Sequence, residues 1–270
     1  MRSDLQITKE TVRAWWNQQA CGTQFAESDE LTPAYFAEIE EARYRLEPYI
    51  HSFAQFTRYH GKKVLEVGIG AGTDFVQWVR AGALVYGVDL TVEAITHTRC
   101  RLELEGLQAR DLRQADAEHL DYPDDSFDLV YSWGVIHHTP DPFKALSEIV
   151  RVARPGGEVK VMIYHRHSVA AFMTWLRCCA LSGRPWQSVS YAVANYVESP
   201  GTRAYTRREA RAMLEALPLE DIRVRTVLTW CDLATNSRSA LLRAVHQTLS
   251  WLGGADRVGW FMLISARKRE

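Results

Sequence analysis

Three glycines follow a short apolar run in the sequence VLEVGIGAGTD, and their spacing is typical of a backbone turn against a small ligand. They are Gly68, Gly70 and Gly72. Glycine lets the backbone approach a ligand closely, and such a turn after a buried strand is half of a nucleotide-binding βαβ unit. The spacing differs from the Gly-x-Gly-x-x-Gly turn that seats a pyrophosphate, and it lacks the Gly-Lys-Ser/Thr of a P-loop. The turn therefore indicates a nucleotide-like ligand without a phosphate chain.

Two carboxylates near this turn describe the rest of the ligand. Glu66 lies two residues before Gly68, where it would repel phosphates and attract an ammonium or a sulfonium. Asp89 ends the next apolar run, about 20 residues past the first glycine, which is the spacing of a carboxylate that holds ribose hydroxyls. A ribose with a positively charged tail and no phosphates describes S-adenosylmethionine, so this cofactor is the predicted ligand.

Strand and helix patterns alternate from residue 64 onward and would place these side chains at one edge of a sheet. Strand-like runs are predicted at 64–67, 84–88, 111–115, 128–132 and 158–163, and helices at 73–81, 92–105 and 141–153. Alternation with short loops predicts an α/β fold with a parallel sheet covered by helices on both faces. Ligands of such sheets bind beyond the carboxyl ends of the strands.

Composition and charge restrict the classes of function. The 270 residues are 47% hydrophobic and 24% charged, which is ordinary for a soluble globular protein, and the net charge of −1 argues against a nucleic-acid partner. The first residues lack the apolar core of a signal peptide, and no run is long enough to span a membrane. The five cysteines show no CxxC spacing. We expect a cytoplasmic protein without a metal site, a membrane partner or a nucleic-acid partner; the oligomeric state is not predicted.

Four segments resemble, in order, the motifs of the class I S-adenosylmethionine-dependent methyltransferases. VLEVGIGAGTD resembles the first motif and VYGVDLT the acidic second. QADAEHLDYPDDSFDLVYSWGVIHH resembles the third and fourth, and RVARPGGEVKVMIY the loop and strand that follow. The resemblance covers residues 61–164. It implies a Rossmann-like fold with a seven-stranded, mostly parallel sheet whose last strand is antiparallel, the final two strands lying at 222–230 and 258–267.

The resemblance also implies ten cofactor-binding positions, which are Glu66, Gly68, Gly70, Gly72, Asp89, Leu90, Asp116, Ala117, Trp133 and Gly134. The three glycines would pass beneath the methionine part of the cofactor, and Glu66 would face its ammonium. Asp89 would hold the ribose, Leu90 would pack on the adenine, and Asp116 would accept a hydrogen bond from the adenine amino group. The last two positions would line the channel for methyl transfer, which leaves S-adenosylhomocysteine as product.

Methyl transfer to a hydroxyl or an amine also needs a group that accepts a proton. Histidine is the side chain that titrates near neutral pH. His165 directly follows the fifth predicted strand and is the first candidate base, with His137 and Tyr164 as alternates. His138 is expected either to orient its loop or to contact the acceptor.

Segments outside the shared pattern are expected to cover the acceptor. Residues 1–57 would form a helical lid on a methyltransferase domain at 58–270, which carries helical cap insertions at 165–205 and 232–256. Aromatic side chains there would wall an apolar acceptor, and an arginine would hold a carboxylate or phosphate. Candidate contacts in these segments are Trp16, Tyr35, Phe36 and Arg203.

The sequence favours methyl transfer to oxygen or nitrogen of a small organic molecule, such as a secondary metabolite, over transfer to carbon. Three alternatives stay open. One is a protein that binds the cofactor but catalyses a non-methylating reaction, the second is a protein methyltransferase, and the third is a nicotinamide oxidoreductase. Nucleic-acid methylation is disfavoured because the sequence has no Pro-Cys dipeptide and no Asp/Asn-Pro-Pro-Tyr motif.

Overall fold

A mostly parallel sheet forms the centre of the chain, which the computed structural model describes at residues 8–18 and 22–270. Its strands are β1 (Lys63–Val67), β2 (Leu84–Asp89), β3 (Asp111–Gln114), β4 (Phe127–Trp133), β5 (Ala153–His165), β6 (Ala204–Tyr205), β7 (Leu219–Val227) and β8 (Phe261–Lys268). The order across the sheet is β3-β2-β1-β4-β5-β8-β7, and β6 pairs with β5 beside this path. Strand β8 runs in the opposite direction to the rest, antiparallel to both of its neighbours, β5 and β7. The predicted Rossmann-like fold, with a mostly parallel sheet and an antiparallel last strand, is confirmed; the sheet has the seven predicted strands along its path and the two-residue β6 as an eighth.

Two predicted strands begin or end elsewhere. The strand predicted at 222–230 ends at Val227 because Thr229 opens a short helix, in which its hydroxyl and the Asp232 carboxylate each accept from the other's backbone N–H. The strand predicted at 258–267 begins only at Phe261, since a helical turn precedes it. Short helices next to the two strands therefore displaced both boundaries.

Helices cover both faces of the sheet. They are α1 (Lys9–Trp16), α2 (Pro33–Leu46), α3 (Tyr49–Ala54), α4 (Thr73–Arg80), α5 (Val92–Leu104), α6 (Pro142–Val152), α7 (Val169–Trp175), α8 (Val189–Tyr196), α9 (Arg207–Glu215), α10 (Trp230–Leu233), α11 (Ala240–Gly253) and α12 (Ala255–Val258). Several start as the sequence indicates: Thr32 caps α2 ahead of Pro33, and Thr206 and Glu209 form a capping box at α9. None of these helices is long and apolar enough to cross a bilayer.

The alternation of side chains along β1 separates two apolar cores. Val64 belongs to the core that α3, α4 and α5 cover, whereas Leu65 and Val67 belong to the core under α6 and α9. Successive strand side chains point to opposite faces. Glu66 therefore enters the first face, where Trp78 of α4 donates its indole N–H to the Glu66 carboxyl at 2.9 Å.

Four helices, α7, α8, α10 and α11, form a helical cap beside the carboxyl end of β5. In this cap α7 contacts each of the other three. The buried Asp232 fastens the cap to the sheet, because its carboxylate accepts from the backbone N–H of Ala170 at 3.0 Å and of Trp260 at 2.8 Å. The cap therefore holds a fixed place next to the ligand-binding edge of the sheet.

Candidate functional site

A cavity opens at the carboxyl ends of β1, β2 and β4. Nine of the ten predicted cofactor positions line it, namely Glu66, Gly68, Gly70, Asp89, Leu90, Asp116, Ala117, Trp133 and Gly134. The strands that carry them are parallel neighbours. Their carboxyl ends therefore meet at one edge, as the sequence predicted for a ligand site.

Gly72 is the exception, and glycine is required there by the packing of α4 against α5. It caps α4 with φ +76°, and a Cβ there would lie 2.6 Å from the Thr98 hydroxyl of α5. Gly68 has φ +80°, and a Cβ on it would lie 2.1 Å from a methyl group of Val135. Both positions require glycine because of their backbone conformation and their close neighbours. Only Gly68 of this pair also faces the cavity.

The Asp89 carboxylate shapes the glycine turn. One oxygen accepts from the backbone N–H of Gly70 at 3.1 Å, and the other accepts from the Thr91 N–H at 2.9 Å and its hydroxyl at 2.8 Å. Burial raises the pKa of Asp89, and these donors oppose that rise. The carboxylate thus ties the turn after β1 to the end of β2 while it lines the cavity.

A salt bridge closes the Asp116 end of the cavity. Lys9 of α1 pairs with Asp116 and, at 2.8 Å, with Glu118. The hydrogen bonds to these two carboxylates raise the pKa of Lys9. Sequence analysis missed Lys9, because a lysine on an N-terminal helix gives no sign of a partner 107 positions away.

Buried charges form the wall of the cavity next to the glycine turn. Arg43 of α2 pairs with Asp74 at 2.8 Å and with Glu47 at 3.3 Å. Asp74 also accepts the Tyr131 hydroxyl at 2.9 Å, and Glu47 accepts the Trp133 indole N–H at 3.1 Å. Arg43, Asp74 and Glu47 line the cavity although the sequence analysis did not select them.

Two carboxyl groups on this wall have raised pKa values, which shift each group toward its neutral form. Burial, with the Asp74 charge added, raises the pKa of Glu66 well above its usual range, against the effect of Arg43. Burial likewise raises the pKa of Glu47 to about 7 although Arg43 opposes it. A cation in the cavity would favour the ionised form of both groups. The wall therefore fits a ligand with an ammonium or a sulfonium.

Beyond Trp133 the cavity is walled by aromatic side chains. Tyr164, Trp230, Trp260 and Phe261 line this aromatic compartment. Tyr164 stacks on Trp260 with ring centroids 4.2 Å apart, and Trp133 meets Phe261 edge to face at 5.9 Å. Such walls favour an apolar or cationic group of a small molecule.

Glu198 is the acidic group of the aromatic compartment. Its carboxylate accepts the Tyr164 hydroxyl at 2.7 Å and lies 3.2 Å from His138 Nε2. The Glu198 side chain is 41% exposed, so it is only partly desolvated. Desolvation raises its pKa, but the His138 hydrogen bond and charge and the Tyr164 hydroxyl outweigh this effect, so the pKa is lowered. The carboxylate is therefore ionised at neutral pH.

The backbone of Glu198 is strained, with φ +48°. A non-glycine residue in this region costs about 1–3 kcal/mol and is found most often at functional sites. Sequence analysis missed Glu198 because it follows α8 outside any motif. One signal was present: it is the first acidic residue after Glu158.

His165 was expected beside the ligand as the first candidate base, and the structure places its side chain elsewhere. Its side chain is buried, and its Nδ1 lies 3.1 Å from the Gly259 carbonyl oxygen. Burial lowers its pKa to about 4. Side chains alternate along a strand, so Tyr164 faces the cavity and His165 points to the opposite face of the sheet. His165 is therefore not among the described residues that line the cavity.

The two neighbouring histidines differ in position. His137 is buried outside the lining, its ring 4.0 Å from that of Tyr164, and neither ring nitrogen has a hydrogen-bond partner among the described residues. Burial lowers its pKa well below the usual range. His138 lines the cavity, and its Nδ1 lies 2.8 Å from the Ser199 hydroxyl. Of the pair, only His138 lines the cavity.

Of the predicted acceptor contacts in the added segments, Trp16 lines the cavity and meets His138 edge to face at 5.3 Å. The other three lie elsewhere in the described chain. From α2, Ile39 and the residues one and two turns after it line the cavity. Tyr35 lies one turn before Ile39, and its hydroxyl instead lies 3.2 Å from His97 Nε2. Phe36 packs in the same small core, and Arg203 donates its backbone N–H to the His137 carbonyl.

The described residues contain no group of three or more His, Cys, Asp or Glu side chains arranged to bind a metal ion. The sequence has five cysteines; Cys21 lies outside the described residues, and the other four are free thiols. Neither a metal nor a disulfide therefore enters the description of this site.

The chain matches known proteins mainly through its central segment. Residues 65–161 match a family model described as a methyltransferase domain. Phosphatidylethanolamine N-methyltransferase of Cereibacter sphaeroides is 39% identical over 103 residues, which are 38% of this chain and 50% of that protein. Ubiquinone biosynthesis O-methyltransferase of Aeromonas salmonicida is 30% identical over 113 residues, 42% of this chain and 48% of that protein. The chain thus spans about half the length of these relatives.

Solved structures extend the likeness over the whole fold. An S-adenosylmethionine-dependent methyltransferase from Aquifex aeolicus superposes on 88% of this chain and 98% of its own, with a TM-score of 0.54 and 17% identity. At that identity the superposition shows a shared fold. The sheet and its helices therefore agree with the match of the central segment.

Proposed function

We propose that the chain is a class I S-adenosylmethionine-dependent methyltransferase, and that it transfers the cofactor's methyl group to an oxygen or nitrogen atom of a small organic molecule. The match of its central segment to a methyltransferase domain and its shared fold support this. The observation that carries this is one cavity with the predicted cofactor positions at one end and the aromatic compartment with Glu198 at the other. Direct displacement requires donor and acceptor to be held end to end. Relatives named for a phospholipid amine and for ubiquinone biosynthesis support this acceptor class.

The residues present fit the cofactor. Glu66, whose pKa is raised, fits the ammonium of the cofactor. Arg43 fits the carboxylate of the cofactor, because Arg43 and Lys9 are the arginine and lysine side chains of the described lining. Asp89 fits the ribose and Asp116 the adenine amino group. In the proposed complex with the cofactor, Lys9 covers the end of the cavity at which Asp116 lies.

The chemistry that the cofactor supplies is a methyl group on a sulfonium. We assign Glu198 as the group that accepts the acceptor's proton, since its carboxylate is ionised and faces the compartment. Tyr164 and His138 orient that carboxylate through their hydrogen bonds. The aromatic walls exclude water from the reacting atoms.

A labelling experiment tests the proposed function. The chain is incubated with methyl-labelled S-adenosylmethionine and a metabolite extract, and the products are separated by size and chemistry. Label in a small-molecule product supports the proposal, and label in proteins alone favours a protein methyltransferase. Tight S-adenosylhomocysteine binding without labelled product favours a non-methylating reaction. Thermal stabilisation by NAD but not by S-adenosylhomocysteine overturns the cofactor assignment.

We also propose that residues 1–57 act as a lid over the methyltransferase domain. In the described part of this segment, Lys9 bridges to Asp116, and Trp16 and Arg43 line the cavity. S-adenosylhomocysteine should therefore slow amide hydrogen exchange in α1 more than in β1, as measured by mass spectrometry. Equal protection of both elements would make α1 a packing element instead.

The relative affinity for S-adenosylmethionine should rise with pH. Raising the pH through about 7 converts the Glu47 carboxyl, whose pKa is raised to about 7, from the neutral to the anionic form. Both ligands carry an ammonium, but only S-adenosylmethionine also carries a sulfonium charge, so it gains more attraction than S-adenosylhomocysteine when Glu47 ionises. We expect the affinity for S-adenosylmethionine, divided by that for S-adenosylhomocysteine, to increase about three- to tenfold as the pH rises from about one unit below that pKa to about one unit above it.

Calorimetry of both ligands across this range measures the ratio. In Glu47→Gln the ratio should stay flat, because no group at that position ionises. The same rise in this variant would assign the titration to another carboxyl group, such as Glu66.

A further inference from the structure

Helix α11 exposes its most apolar face and buries polar side chains, which is the reverse of the usual arrangement in a globular protein. Its buried side chains are His246 and Ser250. The opposite face carries Leu241, Trp251 and Leu252, which are 76%, 80% and 68% exposed. An amphipathic helix normally buries its apolar face and exposes its polar one. The arrangement indicates a surface that an apolar phase or partner covers.

A second exposed apolar feature lies in the same helical cap, at the turn between α7 and α8. Leu181 and Trp186 are 77% and 74% exposed there. Trp175 holds the turn in place, because its indole N–H donates to the Gln187 carbonyl. The cap thus exposes two tryptophans and three leucines on elements that contact one another through α7. Large exposed apolar surfaces of this kind mark interaction sites.

Charge identifies the kind of partner. Residues 165–197 and 233–255 contain no Asp or Glu, although the chain has 33, and they contain five arginines. Arg166 pairs with Glu209, but Arg184 and Arg243 bond only neutral oxygens in the interactions found, and Arg177 and Arg238 are exposed. The surface is therefore apolar and positive, without the carboxylates that would cancel the arginines.

We propose that this cap is a peripheral membrane-binding surface, in which α11 and the α7–α8 turn lie in the interface of a bilayer that contains anionic lipids. Helices that bind in this way combine leucine and tryptophan on one face with basic residues around them. Tryptophan is enriched at the level of the lipid headgroups, and arginine is attracted by the negative surface potential. The contact needs no membrane-spanning helix and does not depend on which acceptor is methylated.

A second copy of the chain fits the surface less well. A two-fold interface brings the same patch of both copies together. The arginines of one cap would then face those of the other, with no carboxylate in either segment to pair with them. Anionic lipid removes this repulsion, so we commit to the bilayer as the partner.

Vesicle flotation with the whole chain tests the proposal. The chain should float with vesicles of phosphatidylcholine mixed with phosphatidylglycerol, less with phosphatidylcholine alone, and less at high salt, which screens the charges. The double variant Leu241→Glu, Leu252→Glu should reduce binding at least about tenfold. Leu104→Glu is the matched control, because Leu104 is an exposed leucine at the end of α5, outside the cap, and it should float like the wild type.

Two readouts make the result decisive. Both variants alter exposed side chains, and thermal unfolding verifies that each stays folded. Absence of the wild type from both kinds of vesicle overturns the proposal. Sedimentation that shows a wild-type dimer which the double variant dissociates, without vesicle binding, would assign the surface to self-association instead. Equal flotation of the double variant and the control would place the membrane contact outside α11.

Discussion

Glu198→Gln should lower the turnover number about 10²–10⁴-fold, the usual contribution of a general base, with little change in affinity for S-adenosylhomocysteine. The glutamine keeps the size of the side chain and still offers a carbonyl oxygen to Tyr164 and His138. It removes the charge that takes up the proton. Steady-state kinetics on the acceptor found by labelling, with calorimetry on the product cofactor, measures both quantities.

Tyr164→Phe separates this role from a structural one. The Tyr164 hydroxyl helps to lower the pKa of Glu198, so its loss should raise that pKa. The carboxylate then protonates at a higher pH, and the acidic limb of the rate profile moves upward. His165→Ala is the control, because its buried side chain lies away from the cavity and the rate per folded molecule should stay unchanged. A fully active Glu198→Gln variant would point to an acceptor that is already deprotonated, or to a soft nucleophile such as sulfur.

The end of the cavity that we propose for the cofactor could be predicted from the sequence because its geometry is local. Gly68 directly follows β1 and Asp89 is the last residue of β2, and both positions depend on a turn of a few residues that glycine and a carboxylate specify. The parallel sheet then brings the two strand ends together without further information. Sequence patterns therefore predict both the fold and this half of the cavity.

The remaining walls of the cavity, at both of its ends, were not predictable because their contacts cross long distances in the chain. Lys9 and Arg43 reach the cavity only through the docking of α1 and α2, and Glu198 only through the end of the helical cap. No shared motif covers those segments. His165 shows a second limit: a one-residue error in strand register turns a side chain to the opposite face. The predicted strand at 158–163 is also shorter than β5, which runs from Ala153 to His165, so His165 is the last strand residue and not the first residue after the strand.

Asp89→Ala should weaken S-adenosylhomocysteine binding about 10- to 100-fold, since a charged hydrogen bond contributes about 1.5–3 kcal/mol. The structure adds a competing cause, because the same carboxylate fastens Gly70 and Thr91. Asp89→Asn keeps an acceptor oxygen and should lose less affinity than the alanine variant. Asp121→Ala is the control, as Asp121 is an exposed carboxylate outside the cavity. Calorimetry measures affinity, and thermal unfolding reports any damage to the turn.

An analogue of S-adenosylhomocysteine without the two ribose hydroxyls distinguishes the two causes. If Asp89 holds the ribose, the wild type should bind the analogue about 10- to 100-fold more weakly than S-adenosylhomocysteine, and Asp89→Ala should bind both alike. If Asp89 acts only by shaping the turn, the wild type and the variant should lose the same factor on removal of the hydroxyls. The coupling between residue and hydroxyls, rather than the loss in the variant alone, therefore decides whether this carboxylate contacts the cofactor.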